Sequence, residues 1–449
     1  MSAAQRSVVE YVTRGPDVPG HHCGYCDGQD RVANGVWAHV MTCQDYKNLI
    51  DRGWRRSGKY VYKPIMKRSC CPPYAIRCDT TNFSISKSQK KVLKKVHRYL
   101  ATGQTRLLQE EVEEEKHEKT PKQAGTSPSE KSEPGLAAAS LPSKPSSSKP
   151  SSGADPSKSK CRKAKEVRRE KWALKGKTPV VTRPKKTVED FIENEANDSH
   201  KLTVELLPCS MKNDVFKASF MESYSVYVKY QVAVHGDEER ECTQKQFSRF
   251  LVDSPLVPYQ PEGGPPSGYG SFHQHYRIDG KLVAVGVLDI LPTCTSSVYF
   301  YYDPSYEFLT LGTYSALREI YFTRQLQKQA PDLAFYYMGY YVHSCAKMRY
   351  KGQYNPSFLL CPEVYSWIPI EISRPKLDAS KYSRLDSSDA VEEDVAINNV
   401  LVLWQRTAMP YEIFVAMGGG DGRRHEASVR EYAQLAGPKA SASMLLYLD

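Results

Sequence analysis

The apolar patterning of this chain fails abruptly near its middle. Residues 119–160 hold 12 Ser and 7 Pro among 42 positions and no aromatic side chain. Such a composition buries too little to offset the entropy of ordering, so a disordered linker is expected there. Folded structure must then come from residues before about 105 and after about 187, leaving 106–187 as a charged, Ser/Pro-rich connection. The acidic run 110–118 reads as an extension of a preceding helix. The basic run 158–186 carries 13 Lys+Arg against 2 Asp+Glu. A nuclear-import patch, a nucleic-acid tether and a merely solvated linker all stay open for it.

The 449 residues are 40% hydrophobic and 11% aromatic, enough for a sizeable core outside that interval. No stretch approaches the roughly eighteen apolar residues of a membrane-spanning helix, so no membrane partner is expected. The opening MSAAQRSVVEY has no apolar core before Glu10, which points to an intracellular protein. In a reducing compartment the twelve cysteines should be thiols or metal ligands rather than disulfides. Net charge is +11 but uneven. Residues 20–100 hold 16 Lys+Arg against 5 Asp+Glu, a net of +11, and 158–186 hold another +11, so the remainder carries −11. A polyanion partner is permitted by that asymmetry and not identified by it.

Spacing predicts a helix over Trp37–Leu49 and a second over Ser86–Tyr99 ended by Gly103. Alternation over Ser225–Val234 predicts a strand. Leu282–Leu291 reads as a buried strand, Ser297–Tyr302 as its neighbour, Tyr314–Gln327 as a helix and Leu333–Tyr341 as a further strand. That order implies an α/β layer. A strand at Val400–Trp404 and a helix near Ala427–Leu435 complete the pattern.

Cys23 and Cys26 form a C-x2-C pair in HHCGYCDGQ, and Cys70-Cys71 precede two prolines. Two thiolate pairs make four soft ligands suited to zinc or an iron–sulfur cluster. A competing set, Cys23, Cys26, His39 and Cys43, has short zinc-finger spacing but leaves Cys70-Cys71 unexplained. His39 reads better as a satisfied buried imidazole and Cys43 as a small buried hydrophobe, with Cys78 as a reserve ligand.

The strings CGYC, NGVWAH, DYKNLIDRGWRRSGKYVYKP and SCCPPYAIRC strongly resemble the amino-terminal region of eukaryotic arginyl-tRNA–protein transferases. The strings SFHQHYRIDGKLVAVGVLDILP, SSVYFYYDP, LGTYSALREI and YYMGYYVHSCAKMRYKGQYNPSFLLCPE resemble that family's carboxy-terminal domain. The likeness covers roughly 1–100 and 200–415. It implies a cysteine-rich metal-binding domain over 1–105 and an acetyltransferase-like (GNAT-like) α/β catalytic domain over 188–449. It also implies that Cys23, Cys26, Cys70 and Cys71 hold a [4Fe-4S] cluster, with zinc as the alternative occupant. The implied activity moves arginine from arginyl-tRNA, without ATP, to proteins exposing amino-terminal Asp, Glu or oxidised Cys. That mark directs them to ubiquitin-dependent degradation, in cytoplasm and nucleus.

Such a reaction asks the chain to hold a guanidinium, read an acidic side chain, steady an oxyanion and grip an acceptor stem. Asp289, which interrupts VAVGVLDILP, is the first candidate for the guanidinium. Glu319 is a second, with an ion pair to Arg318 as its ordinary alternative. His343, Lys347, Arg349, Tyr350 and Lys351 supply donors for an acidic acceptor, or a basic face for the tRNA terminus. His275, beside His273, is a candidate proton acceptor, and the helix start after Gly312, at Tyr314, a source of free N–H groups. Arg55, Arg56, Lys59 and Lys63, interleaved with Trp54, Tyr60 and Tyr62, are candidates for tRNA contact. A nucleic-acid-binding adaptor with a zinc module, or an acyltransferase using a thioester, would account for fewer of these features; the latter wants a multi-glycine phosphate loop that the sequence lacks.

Overall fold

The computed structural model describes residues 6–13, 19–26, 28–104, 186–194, 197–392, 394–418 and 422–448. The linker expected at 119–160, the acidic run 110–118 and the basic run up to residue 185 lie outside the described residues.

Fifteen strands are described. They are β1 (Val8–Val12), β2 (Ala33–Val40), β3 (Arg55–Ser57), β4 (Tyr60–Pro64), β5 (Tyr74–Asp79), β6 (Leu202–Pro208), β7 (Gly270–Ile278) and β8 (Lys281–Leu291). β9 (Cys294–Tyr302), β10 (Phe335–Tyr341), β11 (Ser357–Leu360), β12 (Trp367–Pro369), β13 (Leu401–Trp404), β14 (Thr407–Pro410) and β15 (Leu445–Tyr447) follow. One sheet runs β14-β13-β15-β1-β2-β4-β3 and the other β12-β11-β5-β10-β9-β8-β7-β6. The boundary expected between residues 1–105 and 188–449 is therefore not a packing boundary. β1 lies between β2 and β15, and β5 is hydrogen-bonded to β10 on one side and β11 on the other. One core joins the sheets, with Val9, Val36 and Val61 packed among Ile290, Leu291, Leu333 and Tyr337.

The helices that matter for the site are α1 (Cys43–Ile50), α2 (Lys87–Thr102), α3 (Asp214–Tyr230) and α4 (Leu311–Gln327). α2 follows its signals closely. Ser86 and Gln89 form a capping box, Leu93, Val96, Tyr99 and Leu100 are buried, and Gly103 takes the left-handed conformation (φ 66°) that ends the helix. The helix expected over Trp37–Leu49 is instead strand β2 followed by α1, capped by Thr42. Burial there has period two, with Val36 and Ala38 inside and Trp37 42% exposed. The strand expected over Ser225–Val234 is the end of α3 and a following π turn. Phe216, Ser219, Ser223, Val226 and Tyr227 bury one helical stripe there, overriding a local alternation.

The topology creates one special place. β9 and β10 are parallel and joined through α4. They pair only from Cys294–Phe335 to Ser296–Tyr337, after which the two strands part although each continues. β8, antiparallel to β7 and β9, is buried almost throughout, including Asp289.

Candidate functional site

The parting of β9 and β10 opens a cleft of about 810 Å³. Ser297 and Tyr299 line it from β9, Tyr336 and Tyr340 from β10, and Gly312 and Ser315 from the first turns of α4. α4 begins after Thr310, which makes no side-chain cap, so the helix offers uncapped N–H groups where the strands open. The amino-terminal residues close the other side with Arg31, Arg55, Tyr60 and Tyr62, and the 347–351 segment adds Lys347 and Lys351. Among the described residues the lining contains no Asp or Glu.

Tyrosines give this cleft a directional feature. Trp37 and Tyr60 lie 5.1 Å apart between ring centroids, Tyr60 and Tyr62 are stacked at 6.4 Å, and Tyr62 approaches Tyr340 at 6.3 Å. The ladder runs from a half-exposed Trp37 to a buried Tyr340. Gly35 makes it possible, because a Cβ there would fall 2.0 Å from the Tyr60 hydroxyl.

A second feature adjoins the cleft. The Sγ atoms of Cys23, Cys26, Cys70 and Cys71 all lie within 4.8 Å of one another, and those of Cys26 and Cys70 are 3.6 Å apart. Thiolates about 2.3 Å from one tetrahedral ion stand roughly 3.8 Å apart, so the set is capable of coordinating a soft metal ion. Gly28 belongs to this cage, since a Cβ there would meet the Cys70 and Cys26 sulfurs at 3.1 and 3.3 Å. A backbone hydrogen bond from Gly28 pulls the Cys26 thiol down, whereas burial pushes Cys71 up to about 12. The rival ligands are elsewhere. His39 is exposed on β2 rather than buried and faces Glu10 at 3.4 Å, the buried Cys43 thiol donates to the Val257 carbonyl, and Cys78 is buried in the core. Cys23 and Cys71 pack on Val342, with Tyr25 and Met348 alongside, and the latter two also line the cleft.

Comparison with known proteins agrees with this arrangement. Residues 21–91 match the family model for the arginine-tRNA-protein transferase N terminus, and 222–361 that for its C terminus. Arginyl-tRNA–protein transferase 1 of Drosophila melanogaster is 37% identical over 473 residues, covering 94% of this chain and 96% of the relative. This chain belongs to the arginyl-tRNA–protein transferase family. The Arabidopsis thaliana arginyl-tRNA–protein transferase 1 is 32% identical, over 84% of this chain and 74% of its own length. An aspartate/glutamate leucyltransferase of Pseudomonas syringae is 37% identical over 147 residues, 32% of this chain and 54% of that protein.

Several residues singled out from the sequence of this transferase-family chain stand away from the cleft. Asp289 does hold a guanidinium, but that of Arg56. Arg56 Nε and Nη2 donate to its two oxygens at 2.7 Å each, and Ser271 Oγ donates at 2.7 Å. Both charges are fully buried and consumed by one another. Burial alone would depress the guanidinium; the Asp289 carboxylate holds it above its ordinary value. Arg56 borders the cleft, but with its guanidinium taken by Asp289 neither residue is free for arginine or tRNA.

His275 is 1% exposed, and both its ring nitrogens lack a hydrogen-bond partner. Burial, then the charges of His273 and Arg277, push it down to about 3, so it stays neutral and sealed from an acceptor amine. Tyr314 is buried against Tyr276, while the turn around it presents Gly312 and Ser315 to the cleft. His343 is engaged by Asp378 and the Tyr341 hydroxyl at 2.8 Å each. Arg349 is exposed but outside the lining, as is Lys59 on the β3–β4 turn. Lys63 donates to the Tyr365 hydroxyl at 2.7 Å in a separate cavity, and burial pushes it down to about 7.

Glu319 makes no ion pair with Arg318 in the described contacts. It is 1% exposed, accepts from the Tyr336 hydroxyl at 2.5 Å, and is pushed by burial up to about 7. It sits directly behind two residues that line the cleft, Tyr336 and Ser297. Lys347, Tyr350, Lys351 and Arg55 do reach the cleft. Sequence reasoning missed Arg31, Tyr25, Tyr336 and Tyr340. The only signal for the three tyrosines was a high tyrosine content, 30 residues, spread too widely to point anywhere, and Arg31 was one basic residue among many.

Proposed function

We propose that the cleft at the parting of β9 and β10 is where arginine passes from arginyl-tRNA to the α-amino group of proteins beginning with Asp, Glu or oxidised Cys, marking them for ubiquitin-dependent degradation. The observation that carries this reading is the lining itself: cations and tyrosines with no acid among the described residues. Such a surface suits a polyanion with unpaired bases and, beside it, an acidic side chain. The Trp37–Tyr60–Tyr62–Tyr340 ladder is the path we assign to the unpaired acceptor end of the tRNA.

The acceptor's neutral α-amine attacks the ester carbonyl, a tetrahedral oxyanion forms, and the terminal ribose hydroxyl departs. The amine's proton ends on that hydroxyl oxygen, and because the aminoacyl ester is already activated no ATP is consumed. Uncapped N–H groups at the start of α4 are placed to steady the oxyanion. An α-amine with an ordinary pKa near 8 is already partly neutral at pH 7, and positioning supplies most of the remaining advantage. The parallel β9–α4–β10 unit with its early parting supports an acetyltransferase-like fold for this half of the molecule.

The test is transfer of labelled arginine from arginyl-tRNA to a peptide beginning with Asp, by the purified full chain and without ATP. Transfer to that peptide and not to one beginning with Gly is expected. No transfer under conditions where the chain binds tRNA would refute the reading in favour of a nucleic-acid adaptor.

For the thiolate cage we propose a [4Fe-4S] cluster, with zinc as the competing occupant. A four-iron core stands its thiolates on separate metals and needs them spread wider, and the exposed Cys26, beside an unobstructed Gly24, allows that. Anaerobic purification should give brown protein containing iron and sulfide. Cys70→Ser with Cys71→Ser should abolish the colour and His39→Ala should not. Zinc alone after anaerobic handling would replace the cluster with a structural ion.

A further inference from the structure

β10 does not run evenly past β5. Their register shifts between Tyr337 and Tyr340, and Gly339 at that bulge has φ 67°, a conformation glycine adopts without strain. The bulge frees two successive carbonyls to meet two cations. Gly339 O accepts from Arg55 Nη2 at 3.2 Å, and Tyr340 O accepts from Lys351 Nζ at 3.0 Å. Arg55 is only 5% exposed. Its Nη1 donates to the Trp54 and Ile50 carbonyls at 2.6 and 3.2 Å, while its Nε donates to nothing. The rings of Tyr340 and Tyr337 flank the guanidinium at 5.3 and 5.7 Å.

Neither cation has a carboxylate partner among the described residues. A buried charge is normally paired, and carbonyl dipoles compensate it only in part. Here a buried and a half-buried charge share one end of the cleft and repel one another. Burial, and then Arg55, push the Lys351 ammonium down to about 8. The chemical complement of this pair is a compact anion that can accept from a guanidinium and an ammonium together.

We propose that Arg55 and Lys351, set on the β10 bulge, form the subsite that reads the acidic side chain of the incoming amino-terminal residue. This rests on the transferase reading above. A carboxylate, or the sulfur oxyanion of an oxidised cysteine, is small enough to reach the guanidinium of a residue that borders the cleft and is only 5% exposed. An RNA phosphodiester carries a sugar on each side and is better served by the exposed Arg31. Reading charge by a pair that is otherwise unpaired also explains selectivity, because a neutral amide would leave both cations uncompensated.

The experiment compares peptides beginning with Asp and with Asn, using the full chain as wild type, Lys351→Gln and Arg55→Lys, with circular dichroism to confirm folding. Lys351→Gln should reduce the Asp-over-Asn ratio of kcat/KM by tenfold or more, mainly through the peptide KM, while KM for arginyl-tRNA changes less than twofold. Arg55→Lys keeps the charge but loses the fork, and should reduce the ratio less. Unchanged Asp preference in both folded variants, with wild type transferring normally, overturns the subsite and leaves the transferase reading intact. So does a loss confined to tRNA affinity with a shallower salt dependence, which would assign the pair to RNA phosphate. Anisotropy of a labelled Asp-peptide, without tRNA, separates the two claims. Wild type that binds it more tightly than either variant, yet transfers nothing, upholds the subsite and refutes the transferase reading.

Discussion

Arg55 and Arg56 are neighbours on β3, each 5% exposed, and they have opposite fates. Both border the cleft, but successive strand residues face opposite sides, so the two guanidinium groups meet different partners. Arg56 meets the two oxygens of Asp289 and is closed off. Arg55 meets only carbonyls and remains incomplete. Burial and residue type therefore do not distinguish a structural cation from a ligand-reading one. The opposing charge does.

Three experiments press on that contrast. The largest effect belongs to the closed pair. Asp289→Ala should destabilise the fold by about 3–5 kcal/mol in urea titration, because Arg56 is left buried and alone. Replacing both partners with apolar residues of similar volume should recover most of that loss. A single-site effect under about 1 kcal/mol would mean that Arg56 finds other partners and the contrast is false.

Glu319 offers the same contrast with the sign reversed, as a buried acid with hydroxyl partners and no cation among the described residues. Its folded pKa of about 7 lies above its ordinary 4.5, so the neutral form favours folding. That contribution is complete below pH 4.5 and is lost as pH rises through 7. Glu319→Gln should therefore gain stability relative to wild type between pH 4.5 and 8, by about 3 kcal/mol in total. Equal pH dependence in the two proteins would show that a cation serves Glu319 after all.

The smallest effect is expected at the open site. Arg55→Met removes a charge that nothing opposes and leaves three carbonyls without that donor, at a cost of roughly 1–3 kcal/mol by thermal or urea unfolding. A loss as large as that of Asp289→Ala would make Arg55 structural and weaken the proposed reading of acidic side chains.

Much of this could be seen in the chain beforehand. α2, β8, the β9–α4–β10 order and the four clustered cysteines all carry local signals: caps, apolar runs, and paired thiols at ligand spacing. What escaped was long-range. Asp289 looked like a ligand because an acid in an apolar run demands a cation, and its cation lay 233 residues away in β3. Lys63 alternated correctly with Tyr62, but alternation says nothing about which cavity lies behind a strand. The pairing of β5 with β10 and β11 has no sequence signature at all, since β5 also looks like the end of a small cysteine-rich unit.

That pairing has a consequence for biosynthesis. On the ribosome, β5 emerges long before β10 and β11, and β1 long before β15. Ile76 and Cys78, which end fully buried, have no sheet to enter while the later strands are still being made. Non-local pairing of this kind is slow, and its early strands present open edges to other chains. A transcript truncated before β10 would yield no half-enzyme but a sticky fragment, itself a substrate for quality control.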